Sequence, residues 1–188
     1  MLEALALLGR LGEESQSPEE KERFFLAFDA LRFIADLGQP YGFERYREYS
    51  AANGPPLVIA AFLTREEAEA WLTNQAEPPH QANVLIGGRY FVAVHIPETN
   101  YRAFLQNTML EWYLADIIAE GLPPPLATFT TYEEATTWLH SQPDPPRQVF
   151  ITIAGEYYLA VYHYKVNIRA LYPISMAAKN VQRDQPEG

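Results

Sequence analysis

Four histidines (His80, His95, His140, His163), two adjacent glutamate pairs (Glu66-Glu67 and Glu133-Glu134) and Asp29 with Asp36 are the side chains whose types and spacing could do chemistry. Imidazoles can ligate a metal or move protons, and paired carboxylates can divide acid and base work. Each glutamate pair, however, follows a threonine, Thr64 or Thr131, at the spacing of a capping box. Acids in the first turn of a helix are what the cap and the helix dipole select without any catalysis. Asp29 and Asp36 lie seven apart on one helix, the spacing of a solvated stripe. The chain has no cysteine, and it contains no HExxH, Walker, GxGxxG or GxSxG motif. No residue is assigned a catalytic, cofactor-binding or metal-binding role, and no cofactor is expected.

The elements that must position these groups come twice. Shifted by 67 residues, 56–103 lies on 123–170 without a gap and is identical at 21 of 48 positions. The matches include Thr64/Thr131, Trp71-Leu72/Trp138-Leu139, Gly88/Gly155, Tyr90/Tyr157 and Arg102-Ala103/Arg169-Ala170. Such a repeat is one supersecondary unit used twice. A duplicated metal or catalytic site would place histidines at matching positions. Instead His95 matches Tyr162, and His163 matches Ile96.

Each copy reads strand, helix, strand, strand: residues 57–62, a helix capped by Thr64, residues 83–86 and 90–96, with the second copy following suit. Ala68, Trp71 and Leu72 share a helical face, as do Ala135, Trp138 and Leu139, so each tryptophan is expected to be buried on its own sheet. A Gly88-Arg89 loop would pair Ile86 with Phe91 and Val84 with Ala93. Before the copies, Ser17-Pro18-Glu19-Glu20 starts a helix, with Ser17 as cap and Glu20 placed to complete a capping box. Phe24, Phe25, Phe28, Leu31, Ile34 and Ala35 recur along it, and Gly38 stops it. Between the copies, Thr108 and Glu111 form a further capping box, and a helix over 108–120 is apolar nearly all round, hence buried between layers or against another chain.

The fold class is therefore α+β, with N-terminal helices and two βαββ repeats in pseudo-two-fold arrangement around a connecting buried helix. The boundaries are a helical lead-in over 1–54, a first repeat over 55–107, a connecting helix over 108–121, a second repeat over 122–175 and a polar tail over 176–188.

A balance of 24 acidic against 14 basic residues gives a net charge of -10, which repels nucleic acid and anionic membranes and favours solubility or a basic protein partner. Gly88-Arg89-Tyr90-Phe91-Val92-Ala93-Val94 is similar to the base-stacking strand of RNA-recognition motifs, but the second copy replaces Arg89 with Glu156. No stretch nears the roughly 20 apolar residues of a membrane span. The apolar start has Glu3 where a signal peptide carries basic residues, so it reads as a short helix and the protein as cytoplasmic.

At Ala30-Leu31-Arg32-Phe33-Ile34, Gly38-Gln39, Thr64-Arg65-Glu66-Glu67-Ala68-Glu69-Ala70-Trp71-Leu72, Pro78-Pro79-His80-Gln81-Ala82 and Asn167-Ile168-Arg169-Ala170-Leu171-Tyr172-Pro173, the chain resembles a paralogous family of short proteins abundant in myxobacteria. The resemblance implies an expanded intracellular family suited to interaction, immunity or regulation. The functional expectation is a non-catalytic protein-binding module, a regulator or immunity-type inhibitor. It would use an acidic, tyrosine-rich surface built from Tyr158, Tyr162, Tyr164, His163 and Glu156. The alternative is an enzyme whose cleft between the repeats is lined by His163, Arg169, Tyr162 or glutamates. Self-association through 108–120 is a further expectation.

Overall fold

The computed structural model describes residues 1–51 and 54–177, so of the polar tail placed at 176–188 only Met176 and Ala177 are described, and Ala177 is buried in the core instead of frayed. The chain divides into two units, Met1–Asn53 and Gly54–Gly188.

The first unit is helical: α1 (Leu2–Glu14), α2 (Pro18–Asp36) and α3 (Pro40–Ala51). Ser17 caps α2 by accepting the Glu20 N–H, and Pro18 occupies the first turn. The Glu20 carboxylate does not close the box. It accepts the Ser15 hydroxyl, and that oxygen takes the Ser17 N–H. Gly12 lets α1 approach α2, because a Cβ there would lie 3.1 Å from the Phe25 ring. Phe24, Phe28, Leu31, Ile34 and Ala35 form the half-buried stripe of α2, whereas Phe25 of the expected set is exposed.

The second unit carries both repeats. The first runs β1 (Val58–Phe62), α4 (Arg65–Thr73), β2 (Ala82–Ile86), β3 (Arg89–Ile96) and β4 (Tyr101–Gln106). After α5 (Met109–Glu120), the second runs β5 (Ala127–Phe129), α6 (Tyr132–Ser141), β6 (Gln148–Ile153), β7 (Glu156–His163) and β8 (Ile168–Pro173). The βαββ order is present in both copies, and each adds a fourth strand. The sheets have matching orders, β1-β2-β3-β4 and β5-β6-β7-β8, with one parallel pair and two antiparallel pairs in each. The fourth strands escape sequence reading because 101–106 and 168–173 place an arginine among apolar residues and lack clean alternation.

The hairpin register differs from expectation by two. The loop is Gly87-Gly88, Ile86 faces Arg89, Val84 faces Phe91, and Ala93 faces Ala82. Both glycines have positive φ, 56° and 75°, as a two-residue type I′ turn requires. The second copy keeps this shape with Ala154 (φ 51°) and Gly155 (φ 84°), and Ile153 faces Glu156.

Each helix covers the outer face of its own sheet: Ala68 and Leu72 pack with Val84, Ala93 and Phe104, and Ala135 and Leu139 with Ile151, Ile153 and Ala160. The tryptophans are half-buried rather than buried, each tilted against a phenylalanine, with centroids 5.2 Å apart for Phe62–Trp71 and 5.4 Å for Phe129–Trp138. They rim the helix–sheet layer, while alanine and leucine fill its centre.

The inner faces share a third core. Val58, Leu85 and Tyr90 of the first repeat meet Leu159, Val161 and Tyr172 of the second, with Leu110 and Leu114 of α5. The burial departs from two-fold equivalence. Leu105 is 55% exposed while its counterpart Tyr172 is 4%, and Ile96 is 41% exposed while its counterpart His163 is 2%. α5 is likewise buried on one side only, since Met109 and Trp112 are exposed. Its start is also not the Thr108 box. The Asn107 carboxamide oxygen accepts the Met109 N–H at 2.8 Å, and Thr108 makes no side-chain cap.

Candidate functional site

The groups with chemical potential are committed to the fold. Thr64 and Glu67 form a complete capping box, as do Thr131 and Glu134, and each glutamate also accepts the N–H one residue before its threonine. The Glu66 carboxyl is held below its ordinary value by a backbone hydrogen bond and the Thr64 hydroxyl, which is the signature of a helix start.

The arginines shared by both copies serve the same helices from the far end. Arg102 on β4 donates through Nη1 to the carbonyls of Leu72 (2.8 Å), Thr73 (2.6 Å) and Gln75 (3.3 Å), and through Nε to Asn100. These are the orphan carbonyls at the end of α4, where a cation is favoured. Arg169 repeats the arrangement on the Gln142 carbonyl after α6, with its guanidinium stacked 5.2 Å from the Tyr162 ring centroid. Asn100 and Asn167 turn the preceding loops with φ of 50° and 53°. The duplication thus preserves a structural clasp.

His163 lies in the shared core. Its Nε2 is 3.2 Å from the Tyr172 hydroxyl, its ring meets Tyr90 edge-on at 5.6 Å, and its Nδ1 has no hydrogen-bond partner. Burial depresses its pKa to about 4, so the ring is neutral near pH 7. The other three do not converge on it: His80 Nδ1 accepts the His95 backbone N–H, and His140 Nδ1 sits on the Thr136 carbonyl within α6. Among the described residues no three His, Asp or Glu side chains are grouped as metal ligands would be.

The five residues expected to form one partner surface are divided by strand alternation. Glu156, Tyr158 and Tyr162 turn to the α6 side of β7, whereas His163 turns inward, which corrects its placement on a surface. Tyr158 is half-buried, edge-on to Tyr132, and donates to Glu156. Its pKa is raised by burial and then by that carboxylate. Tyr162 donates to Asn167, and Tyr164 is half-buried in the turn beyond β7. Glu156 is exposed and accepts Ser175 Oγ at 2.7 Å. Between the repeats, the described residues of the shared core pack against one another. Two hollows among the described residues open widely to solvent, one of 930 Å³ beside Thr73, Ile96 and Arg102 and one of 540 Å³ beside Glu133 and Trp138.

One stripe of α5 faces outward. Met109 (58% exposed), Trp112 (51%), Asp116 and Glu120 fall at i, i+3, i+7 and i+11 on one face. Unlike the other acids in this unit's helices, Asp116 and Glu120 sit toward a C-terminus, where the dipole disfavours anions, and the last turn has no basic residue. The apolar character of 108–120 signalled this helix in the sequence, but only burial shows which side faces out. No family model matches this chain, nor does any curated protein or solved structure. No helix among the described residues is long and apolar enough to cross a membrane.

Proposed function

We infer that the protein is a non-catalytic binding module, a regulator or inhibitor, that recognises a basic segment of another protein on the outward stripe of α5. The observation that carries this reading is the pairing on one stripe of an exposed tryptophan and methionine with two acids whose positions work against their own helix. A cation from a partner offsets both the carboxylates and the helix dipole, while Trp112 supplies a large rigid contact at low entropic cost. The net charge of -10 speeds encounter with a basic surface.

Affinity capture from the native host with mass spectrometry, using wild-type protein beside Trp112→Ala and Asp116→Lys, tests this. A stoichiometric basic partner should bind the wild type, weaken as salt rises, and lose at least about tenfold in affinity with either variant. Retention of the partner by both variants, or a turnover activity abolished by His163→Gln without loss of fold, would overturn it.

A further inference from the structure

The edge strands of the two sheets are guarded unequally. β1 breaks register between Val58 and Ala60, β5 is three residues long, and β8 ends in Pro173. Register breaks, shortness and proline are the usual devices that keep an edge from pairing with another chain. β4 has none of them. It runs six residues without proline, lysine or a register break, and its one charge, Arg102, is turned onto the end of α4.

The backbone of β4 shows which groups are offered. Asn107 N–H donates to the Tyr90 carbonyl, so by alternation residues 101, 103 and 105 pair with β3 and residues 102, 104 and 106 turn their N–H and C=O groups outward. Arg65 Nη2 reaching the Phe104 carbonyl from outside, at 3.4 Å, agrees with this. The inner face of the same strand is uncovered, with Tyr101 52% and Leu105 55% exposed. In the second repeat the equivalent Ile168 and Tyr172 are packed into the shared core.

We propose that two copies of this chain pair through β4, antiparallel about a two-fold axis at Ala103, and join their first sheets into one continuous eight-stranded sheet. The segment Tyr101-Arg102-Ala103-Phe104-Leu105-Gln106 is complementary to itself in this register. Arg102 faces the partner's Phe104, whose outward groups exchange hydrogen bonds with it once the long 3.4 Å contact from Arg65 Nη2 to the Phe104 carbonyl gives way. Tyr101 faces the partner's Leu105, an aromatic–aliphatic cross-strand pair, and Ala103 faces its own copy where the backbones come closest. No like charges are opposed. The second copy gives β4 lateral cross-strand neighbours for Tyr101 and Leu105.

The absence of cysteine makes the test direct. An Ala103 pair in the non-hydrogen-bonded position has Cα atoms about 4.5 Å apart, within the disulfide range of about 4.4–6.8 Å. Ala103→Cys should therefore convert to a reducible dimer under mild oxidation, while exposed Ser141→Cys should not. Wild-type protein in sedimentation equilibrium should show twice the 21.4 kDa chain mass, and should associate more tightly as salt screens the repulsion between chains of charge -10. Tyr101→Lys with Leu105→Lys should be monomeric and folded, with a thermal midpoint that no longer rises with protein concentration as that of the wild type does. Asp116→Lys should leave the dimer intact, which separates this association from partner binding on α5. A wild type monomeric up to millimolar concentration would overturn the proposal, as would a dimer whose Ala103→Cys variant cross-links no faster than Ser141→Cys.

Discussion

The two repeats share helix caps, arginine clasps, strand order and turn shape, yet they differ on their inner faces. In the second, Leu159, Val161, His163 and Tyr172 are all buried, whereas in the first Val92 and Val94 are half-buried and Ile96 and Leu105 exposed. The outer faces are set locally, because a nine- or ten-residue helix lies directly on its own hairpin. The inner faces depend on how one sheet meets the other. That meeting is offset: Tyr90 of the first copy reaches His163 and Tyr172 of the second, at 5.6 and 6.0 Å. Duplication thus supplied two equal units, and their packing left one with a face to spare.

The strongest way to break the comparison is to truncate its equivalent ends. Tyr172→Ala should cost about 3–5 kcal/mol, the range for emptying an aromatic core site, while Leu105→Ala should cost under about 1 kcal/mol. Denaturant titration of both variants checks this, and equal losses would mean that the inner faces are equally buried.

Next comes pH, because only the second copy has a histidine at this position. The His163 pKa falls from 6.5 to about 4 on folding, so the unfolded chain takes up its proton first as pH drops. Stability is complete above about pH 6.5, declines between 6.5 and 4, and levels below that, a loss of at most about 3 kcal/mol. His163→Gln should flatten this window of the stability–pH curve, and an unchanged slope would place the proton elsewhere.

The clasps should rank by the bonds they make. Arg102→Ala, which frees three carbonyls, should cost about 1–2 kcal/mol, and Arg169→Ala less, measured by thermal unfolding. The smallest expected effect exchanges the turns. Ala154→Gly should stabilise by about 0.5–1 kcal/mol by relieving a left-handed alanine, and Gly87→Ala should destabilise by a similar amount. No steric clash explains the second, since a Cβ on Gly87 would lie 3.7 Å from the nearest atom, the Leu63 carbonyl oxygen.

Sequence by itself determined whatever depends on neighbours in the chain. Thr64 with Glu67 and Thr131 with Glu134 announce helix starts because a capping box spans four residues. The 67-residue shift requires two like units, and Ala68 with Leu72 and Ala135 with Leu139 mark the helix face that meets each sheet. Tertiary structure decided what depends on distant partners. Asn107, and not Thr108, starts α5, because its side chain is also anchored by donating to Asn83 on β2 at 2.6 Å. His163 is sealed in by Tyr90, a residue 73 positions away in the other repeat. α5 is apolar on nearly every side, so its pattern could not say which stripe the two sheets would cover and which they would leave in water.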